Sequence, residues 1–308
     1  MRLLLSLLAS ALIAYGIGAL ILLRANPEVD FWHELESKRD KELAALRNDH
    51  PDQPLILFAG GSSCAFSIDP ELIATATGLP AINLGGPAHA GVDYLIPRVM
   101  NAAKSGDIVI LALEPHFLTA DSQVPPTSLG LALQMKRDSR MEHLTHLHRL
   151  RPGATFLATW LAKCASGRLG YRYDASHHRA GGRLAHDAIL DPNTRSPQAP
   201  DGQLGDAGRN LLRQLAHQAK ERNIRLLYSL PWQYVEPPLA DLHREANRCL
   251  LAQISEILPC VEDDSLGVST RTEDFSDTTN HLSPPGSERR SISLAKELSR
   301  HLNHSTIR

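Results

Sequence analysis

Residues 55–61 read LILFAGG and decide the fold. An apolar run of this length, ended by two glycines, is typical of a strand buried on both faces of a parallel sheet. Further apolar runs occur at 81–84, 108–113 and 224–230. Helical patterns follow or separate them at 69–77, 91–104, 207–222, 240–257 and 286–302. Strands that alternate with helices predict an α/β fold with a doubly wound, mostly parallel sheet.

The pattern also predicts the boundaries of the domain. We expect the α/β domain to span residues 55–302, with residues 303–308 as a tail. The stretch from about 120 to 205 interrupts the alternation and is rich in His, Arg, Gly and Pro. We interpret it as an insertion of helices and loops that caps the C-terminal edge of the sheet, where such folds bind ligands. A second small domain is the alternative.

Residues 3–23 form a run of 21 residues without a charge. About 20 apolar residues cross a bilayer as a helix, so residues 1–24 are predicted to be a transmembrane anchor. A buried core helix and a cleaved signal peptide are the alternatives. The run is longer than the apolar region of about 7–15 residues in a signal peptide, and it lacks a small-x-small cleavage site.

The flanks of this run predict its orientation. Arg2 precedes it. Arg24 follows it directly, but Glu28 and Asp30 come soon after, and a cluster of lysines and arginines begins only at Lys38. The positive-inside rule then places the N-terminus in the cytoplasm and the domain in the periplasm or at the cell surface. Residues 25–54 are predicted to be a juxtamembrane linker with a polar helix over 28–50.

Composition excludes some classes of function. The chain has 308 residues, 43% of them hydrophobic, and a formal net charge of −2. This charge does not supply the basic field that binding to nucleic acid requires. No C-x-x-C spacing occurs, and the histidines lack the spacing of a helical metal-binding pair, so we predict no metal site and no cofactor. Cys249 and Cys260 are either a disulfide or two thiols.

Two parts of the sequence carry candidate chemistry. Ser63 follows the first strand and Gly60-Gly61, where a tight turn exposes a hydroxyl beside backbone N–H groups. Asp277 and His281 lie in one short loop before the last helix. A serine nucleophile needs an imidazole base, and the imidazole needs a carboxylate to fix its tautomer. The alternatives are a simple turn at Ser63 and a helix N-cap loop at Asp277–His281.

These residues belong to a longer series of short motifs. The series comprises Gly61-Ser62-Ser63, Ser67-Ile68-Asp69-Pro70, Asn83-Leu84-Gly85 and Asp277…His281-Leu282. In order and spacing it resembles the SGNH/GDSL hydrolase superfamily, and within it the membrane-anchored DltD-like and alginate-acetylation-like branch. The resemblance covers about 55–118 and 207–302, and it implies a three-layer, flavodoxin-like sandwich.

The resemblance also implies roles for individual residues. Ser63 would be the nucleophile, His281 the general base and Asp277 the carboxylate that orients it. The backbone N–H groups of Ser63 and of Gly85 or Gly86 would form the oxyanion hole. Other residues at strand ends are candidates for the pocket: Asn83, Glu114 and Trp232.

The implied activity is esterase or O-acyltransferase chemistry on acyl esters of a cell-surface polymer or glycan. A membrane-bound O-acyltransferase is the implied partner. Glu114 stands where the superfamily usually has an asparagine that donates to the oxyanion hole, so a non-catalytic module that binds a glycan or an acyltransferase is the alternative. An α/β-hydrolase is a third interpretation, because residues 61–65 match Gly-x-Ser-x-Gly at all but its last position.

Overall fold

The computed structural model describes residues 3–10, 13, 27–121, 171–261 and 263–305. The helices and strands from Pro27 onward are α1 (Pro27–Asp49), β1 (Ile56–Gly60), α2 (Ser62–Ser67), α3 (Pro70–Thr77), β2 (Ala81–Asn83), α4 (Val92–Ala102), β3 (Ile108–Ala112), α5 (His116–Thr119), α6 (Asp206–Glu221), β4 (Arg225–Tyr228), β5 (Gln233–Tyr234), α7 (Ala240–Ser255), β6 (Val268–Ser269) and α8 (Pro284–Ser305). Strands β1 to β4 lie where the sequence predicts them. The pair β5 and β6 was not predicted, because each strand is two residues long.

The main sheet has four strands in the order β2-β1-β3-β4. All three neighbouring pairs are parallel. The prediction of an α/β fold with a parallel sheet is therefore confirmed. Strands β5 and β6 form a separate parallel pair.

Helices cover both faces of this sheet. Alternate residues of each strand point to opposite faces, so Leu57 and Val109 enter one core cluster while Phe58 and Ile110 enter another. The first cluster includes residues of α1, α4, α6 and α7. The second includes residues of α3 and α8. Burial on both faces explains why these strands read as continuous apolar runs.

The strand order creates a topological switch point between β1 and β3, and the region outside their carboxyl ends is here called the crevice. The chain leaves β1 for β2 on one side and β3 for β4 on the other. In open α/β sheets, ligands bind at such a topological switch point, outside the carboxyl ends of the strands. Here the residues that follow β1 and β3 are Gly61-Ser62-Ser63 and Glu114.

Helix α1 is part of the folded domain. Trp32 and Leu35 are buried in the same cluster as β1. Arg39 is fully buried and donates through Nε to the carbonyl oxygen of Gly182 at 2.8 Å and through Nη1 to that of Gly85 at 2.5 Å. The region predicted to be a linker thus contributes a core helix.

The predicted anchor lies largely outside the described residues. Residues 3–10 and residue 13 are helical. Among the residues that the structure describes, no helix has the length and apolar character needed to span a membrane.

The predicted insertion over 120–205 is described in part, since residues 122–170 lie outside the described ranges. Residues 171–205 are mostly irregular, with two short 3₁₀ turns, Ala175–His177 and Ala180–Gly182. It lies against α2, where Leu184 N–H donates to the carbonyl oxygen of Ala65 at 2.8 Å. Elsewhere, Cys249 and Cys260 are separate thiols and not a disulfide.

Candidate active site

A serine, a histidine and an aspartate form a hydrogen-bonded chain at the crevice. The Oγ of Ser62 lies 2.9 Å from Nε2 of His281. On the other side of the ring, Nδ1 lies 3.0 Å from Oδ1 of Asp277. A proton on Nδ1 donates to the carboxylate, and Nε2 is then left to accept the proton of the serine hydroxyl. This is the arrangement of a serine nucleophile, its general base and an orienting acid.

Local backbone structure brings Asp277 and His281 together. Ser276 N–H donates to the carbonyl oxygen of His281 at 2.8 Å, and His281 N–H donates to Oγ1 of Thr278 at 3.1 Å. The residues on either side, Phe275 and Leu282, form an antiparallel bridge. The loop is closed at its base, so the two side chains four positions apart lie side by side.

The serine that faces His281 is Ser62 and not the predicted Ser63. Helix α2 begins at Ser62, with Gly61 as its N-cap residue. Successive residues of a helix point about 100° apart, so one of two adjacent serines can face the histidine. Ser62 is half-buried at the crevice, whereas Ser63 is 1% exposed.

Ser63 instead bonds to Glu114. Its Oγ donates to Oε1 of Glu114 at 2.7 Å, and its backbone N–H is 3.4 Å from the same oxygen. Glu114 is 6% exposed, and its Oε2 has no hydrogen-bond partner among the described residues. The carboxylate lies against the α-carbon of Gly61, where a Cβ would come within 2.2 Å of Oε1. Glu114 therefore holds the turn that precedes Ser62.

The predicted oxyanion donors of the second strand are already engaged. Gly85 N–H donates to Oδ1 of Asn83 at 3.0 Å, and Gly86 N–H donates to the carbonyl oxygen of Gly60 at 2.9 Å. Asn83 is fully buried and its Nδ2 donates to the carbonyl oxygens of Cys64 and Ile68. Asn83 therefore ties α2 to β2 through its buried side chain.

Trp232, the remaining pocket candidate, packs at the base of the His281 loop. It is buried in a small cluster with Leu190, Tyr234, Phe275 and Leu282. Its Nε1 donates to Oδ2 of Asp263 at 2.9 Å. The structure thus brings Trp232 to the base of the loop rather than to the serine.

Two residues outside the predicted site contact the pair Asp277 and His281, which we call the dyad. The hydroxyl of Tyr173 donates to Oδ2 of Asp277 at 2.5 Å and lies 3.1 Å from Nδ1 of His281. Nη1 of Arg172 donates to the same Oδ2 at 2.5 Å. Both belong to the predicted insertion, more than 100 positions before the loop, and no local motif marks them.

The electrostatics of the dyad keep Asp277 ionised. Burial by itself raises the pKa of this carboxyl. The hydrogen bond and charge of His281, together with the bonds from Tyr173 and Arg172, outweigh burial and hold the pKa of Asp277 well below its usual range. The His281 ring is also stacked on Phe66 of α2, with centroids 4.3 Å apart. The hydrogen bond to Asp277 and the stacking on Phe66 therefore both restrain the imidazole ring.

Histidines and a cysteine outside this site have other surroundings. Among the described residues, no group of three or more His, Cys, Asp or Glu side chains is placed to hold a metal ion. His177 contacts Asp174, and His178 contacts Glu42. Cys64 is fully buried, and burial raises the pKa of its thiol far above the ordinary value. Such burial favours the protonated thiol over the reactive thiolate.

Comparison with protein-family models gives no match to this chain, and comparison with curated proteins gives none either.

Proposed function

We propose that the protein is a serine esterase or O-acyltransferase that works through an acyl group on Ser62. The observation that carries the proposal is the chain from Ser62 Oγ to His281 Nε2 at 2.9 Å and from His281 Nδ1 to Asp277 Oδ1 at 3.0 Å. Its position at the switch point of a parallel sheet, where ligands bind, supports the proposal independently.

The chemistry proceeds in two displacements. Ser62 Oγ attacks the ester carbonyl carbon while its proton passes to His281 Nε2, and the tetrahedral intermediate expels the alcohol, which takes that proton. The acyl group is then bonded to Ser62. Water or an acceptor hydroxyl gives its proton to His281 and attacks the acyl carbon, which releases acid or transferred ester and restores Ser62.

The developing negative charge needs donors other than Gly85 and Gly86, whose N–H groups are engaged within the fold. We assign this role first to the N–H of Ser62, because the first residues of a helix have N–H groups without an acceptor in the helix.

The resemblance to the SGNH/GDSL superfamily enters this proposal with one change. The Gly-x-Ser block is now Gly60-Gly61-Ser62, at the end of β1, so that Ser62 takes the place of the nucleophile. The strand order, the helices on both faces and the Asp-His loop before the last helix agree with that family's flavodoxin-like sandwich.

Location and substrate class remain part of the same proposal. We propose that residues 3–23 anchor the chain as a single-pass helix with a cytoplasmic N-terminus. The domain then lies outside the cytoplasm and acts on acyl esters of a cell-surface polymer or glycan, beside a membrane-bound O-acyltransferase.

One observation favours the alternative of a non-catalytic binding module. Both glycine N–H groups of the expected oxyanion hole are engaged, and the third expected donor position holds the carboxylate of Glu114. An ionised carboxylate accepts hydrogen bonds and does not donate them. The two functions therefore differ in whether the serine is reactive.

Turnover of p-nitrophenyl acetate by the full-length protein in detergent distinguishes them. We expect the wild type to release p-nitrophenol, Ser62→Ala to lose on the order of 10⁴-fold in kcat, and the adjacent Ser63→Ala to remain within about tenfold. Folding of each variant is checked by its melting temperature. A folded wild type without turnover, or a loss confined to Ser63→Ala, would overturn the proposal.

A further inference from the structure

The hydroxyl of Tyr173 contacts both members of the Asp277–His281 pair. Its hydroxyl donates to Oδ2 of Asp277 at 2.5 Å, and the same oxygen lies 3.1 Å from Nδ1 of His281. Asp277 thereby uses Oδ1 for the imidazole and Oδ2 for the phenol. A carboxylate held at both oxygens cannot rotate away from the ring, so the phenol fixes the direction of the Asp277–His281 hydrogen bond.

The tyrosine is a permanent donor. Burial, and then the hydrogen bond to Asp277, raise the pKa of the Tyr173 hydroxyl far above its ordinary value. The phenol therefore keeps its proton at neutral pH and donates it to Asp277. With Nδ1–H donating to Oδ1, the phenol oxygen accepts a share of that same proton.

The ring of Tyr173 is locked by packing from three separate parts of the chain. Its centroid lies 6.0 Å from that of Phe31 in α1 and 5.1 Å from that of Phe66 in α2. Tyr171 and His186, from the segment after residue 170, lie at 5.2 and 5.6 Å. Tyr173 itself is 5% exposed. A side chain held in this way is pre-organised, as positioning of a reactive group requires.

We propose that Tyr173 is a positioning residue of the reaction, which acts through Asp277 to hold His281 in line with Ser62. This inference rests on the proposed function. It extends the site beyond its three reacting residues to the segment that follows residue 170, and it explains why that segment packs into the crevice. Arg172 assists, but its side chain is 58% exposed and solvent weakens its pairing with Asp277.

The test compares Tyr173→Phe with Tyr171→Phe in the full-length protein. Both changes remove one hydroxyl from the same aromatic cluster, but of the two tyrosines it is Tyr173 whose hydroxyl contacts Asp277 and His281. We expect Tyr173→Phe to lower kcat for p-nitrophenyl acetate by about tenfold with KM within about twofold, because orientation of the base affects the chemical step. Tyr171→Phe keeps both constants.

A double-variant cycle separates positioning from a merely structural effect. If Tyr173 acts through Asp277, adding Tyr173→Phe to Asp277→Asn causes no further loss of kcat. A full additional tenfold loss, or an unchanged kcat in Tyr173→Phe alone, would overturn the inference. A wild type without any turnover would instead overturn the proposed function, so the two failures are distinguishable.

Discussion

The Oγ of Ser62 lies 2.9 Å from Nε2 of His281, although the two residues are 219 positions apart in the chain. Ser62 reaches this place because α2 begins at the end of β1, at the switch point of the sheet. His281 reaches it because a closed loop precedes α8. The contact joins the helix that follows β1 to the loop that precedes α8. The proposed chemistry depends on this contact.

Gly61 and Glu114 give a first prediction. A Cβ at position 61 would overlap the Glu114 carboxylate, which Ser63 holds in place. We expect Gly61→Ala to destabilise the fold by about 2 kcal/mol and to displace Ser62, with loss of most activity. Urea unfolding and p-nitrophenyl acetate turnover measure the two effects.

The matched control for Gly61→Ala removes the obstacle. In the double variant Gly61→Ala with Glu114→Ala, the new methyl group meets no carboxylate, so we expect part of the stability lost in Gly61→Ala to return. If Gly61→Ala is as stable and as active as the wild type, the tight packing of Glu114 on the turn is not present in solution.

Asp277 predicts a dependence of stability on pH. Its pKa in the folded protein is held below the ordinary value, which is roughly 3.9 for an unfolded chain. The stabilisation is therefore fully present above about pH 4 to 5, and it is lost as pH falls below that range toward the folded pKa. We expect Asp277→Asn to flatten the acid limb of melting temperature against pH.

The control for this experiment is Asp241→Asn, since the Asp241 side chain is fully exposed and pairs with Arg244 in the same helix. An exposed pair contributes little to stability, so this variant keeps the slope of the wild type. Equal slopes in wild type and Asp277→Asn would show that His281, Tyr173 and Arg172 do not hold Asp277 in its ionised form.

Arg39 tests whether α1 belongs to the domain. Its buried guanidinium bonds to two carbonyl oxygens far apart in sequence, those of Gly85 and Gly182. A lysine has one nitrogen in place of the fork, so Arg39→Lys is expected to cost about 3 kcal/mol in the free energy of unfolding. Lys41→Ala, at an exposed position of the same helix, should cost under about 0.5 kcal/mol. A similar small effect in both variants would place α1 outside the folded domain.

The parts of the fold that follow from local pattern could be predicted from the sequence. The run at residues 55–61 predicts β1, because burial on both faces requires an apolar residue at every position. Asp277 and His281 share one loop, so their proximity also follows from local sequence. These features need no knowledge of distant contacts.

The choice between the two serines could not be predicted in this way. Gly60-Gly61-Ser62 and Gly61-Ser62-Ser63 are overlapping Gly-x-Ser blocks, and the first residue of α2 decides which serine faces outward. That register depends on Glu114, which is 51 positions away and binds Ser63. Tyr173 was missed for the same reason, since its contacts with Asp277 and His281 are entirely non-local.

The proposed chemistry requires Ser62 to be an activated nucleophile. Its most direct test treats the full-length protein with a fluorophosphonate probe and locates the adduct by tandem mass spectrometry of the peptide that contains both serines. We expect an adduct on Ser62 that disappears in His281→Ala and persists in Ser63→Ala. An adduct on Ser63, or a folded protein that does not react, would contradict it.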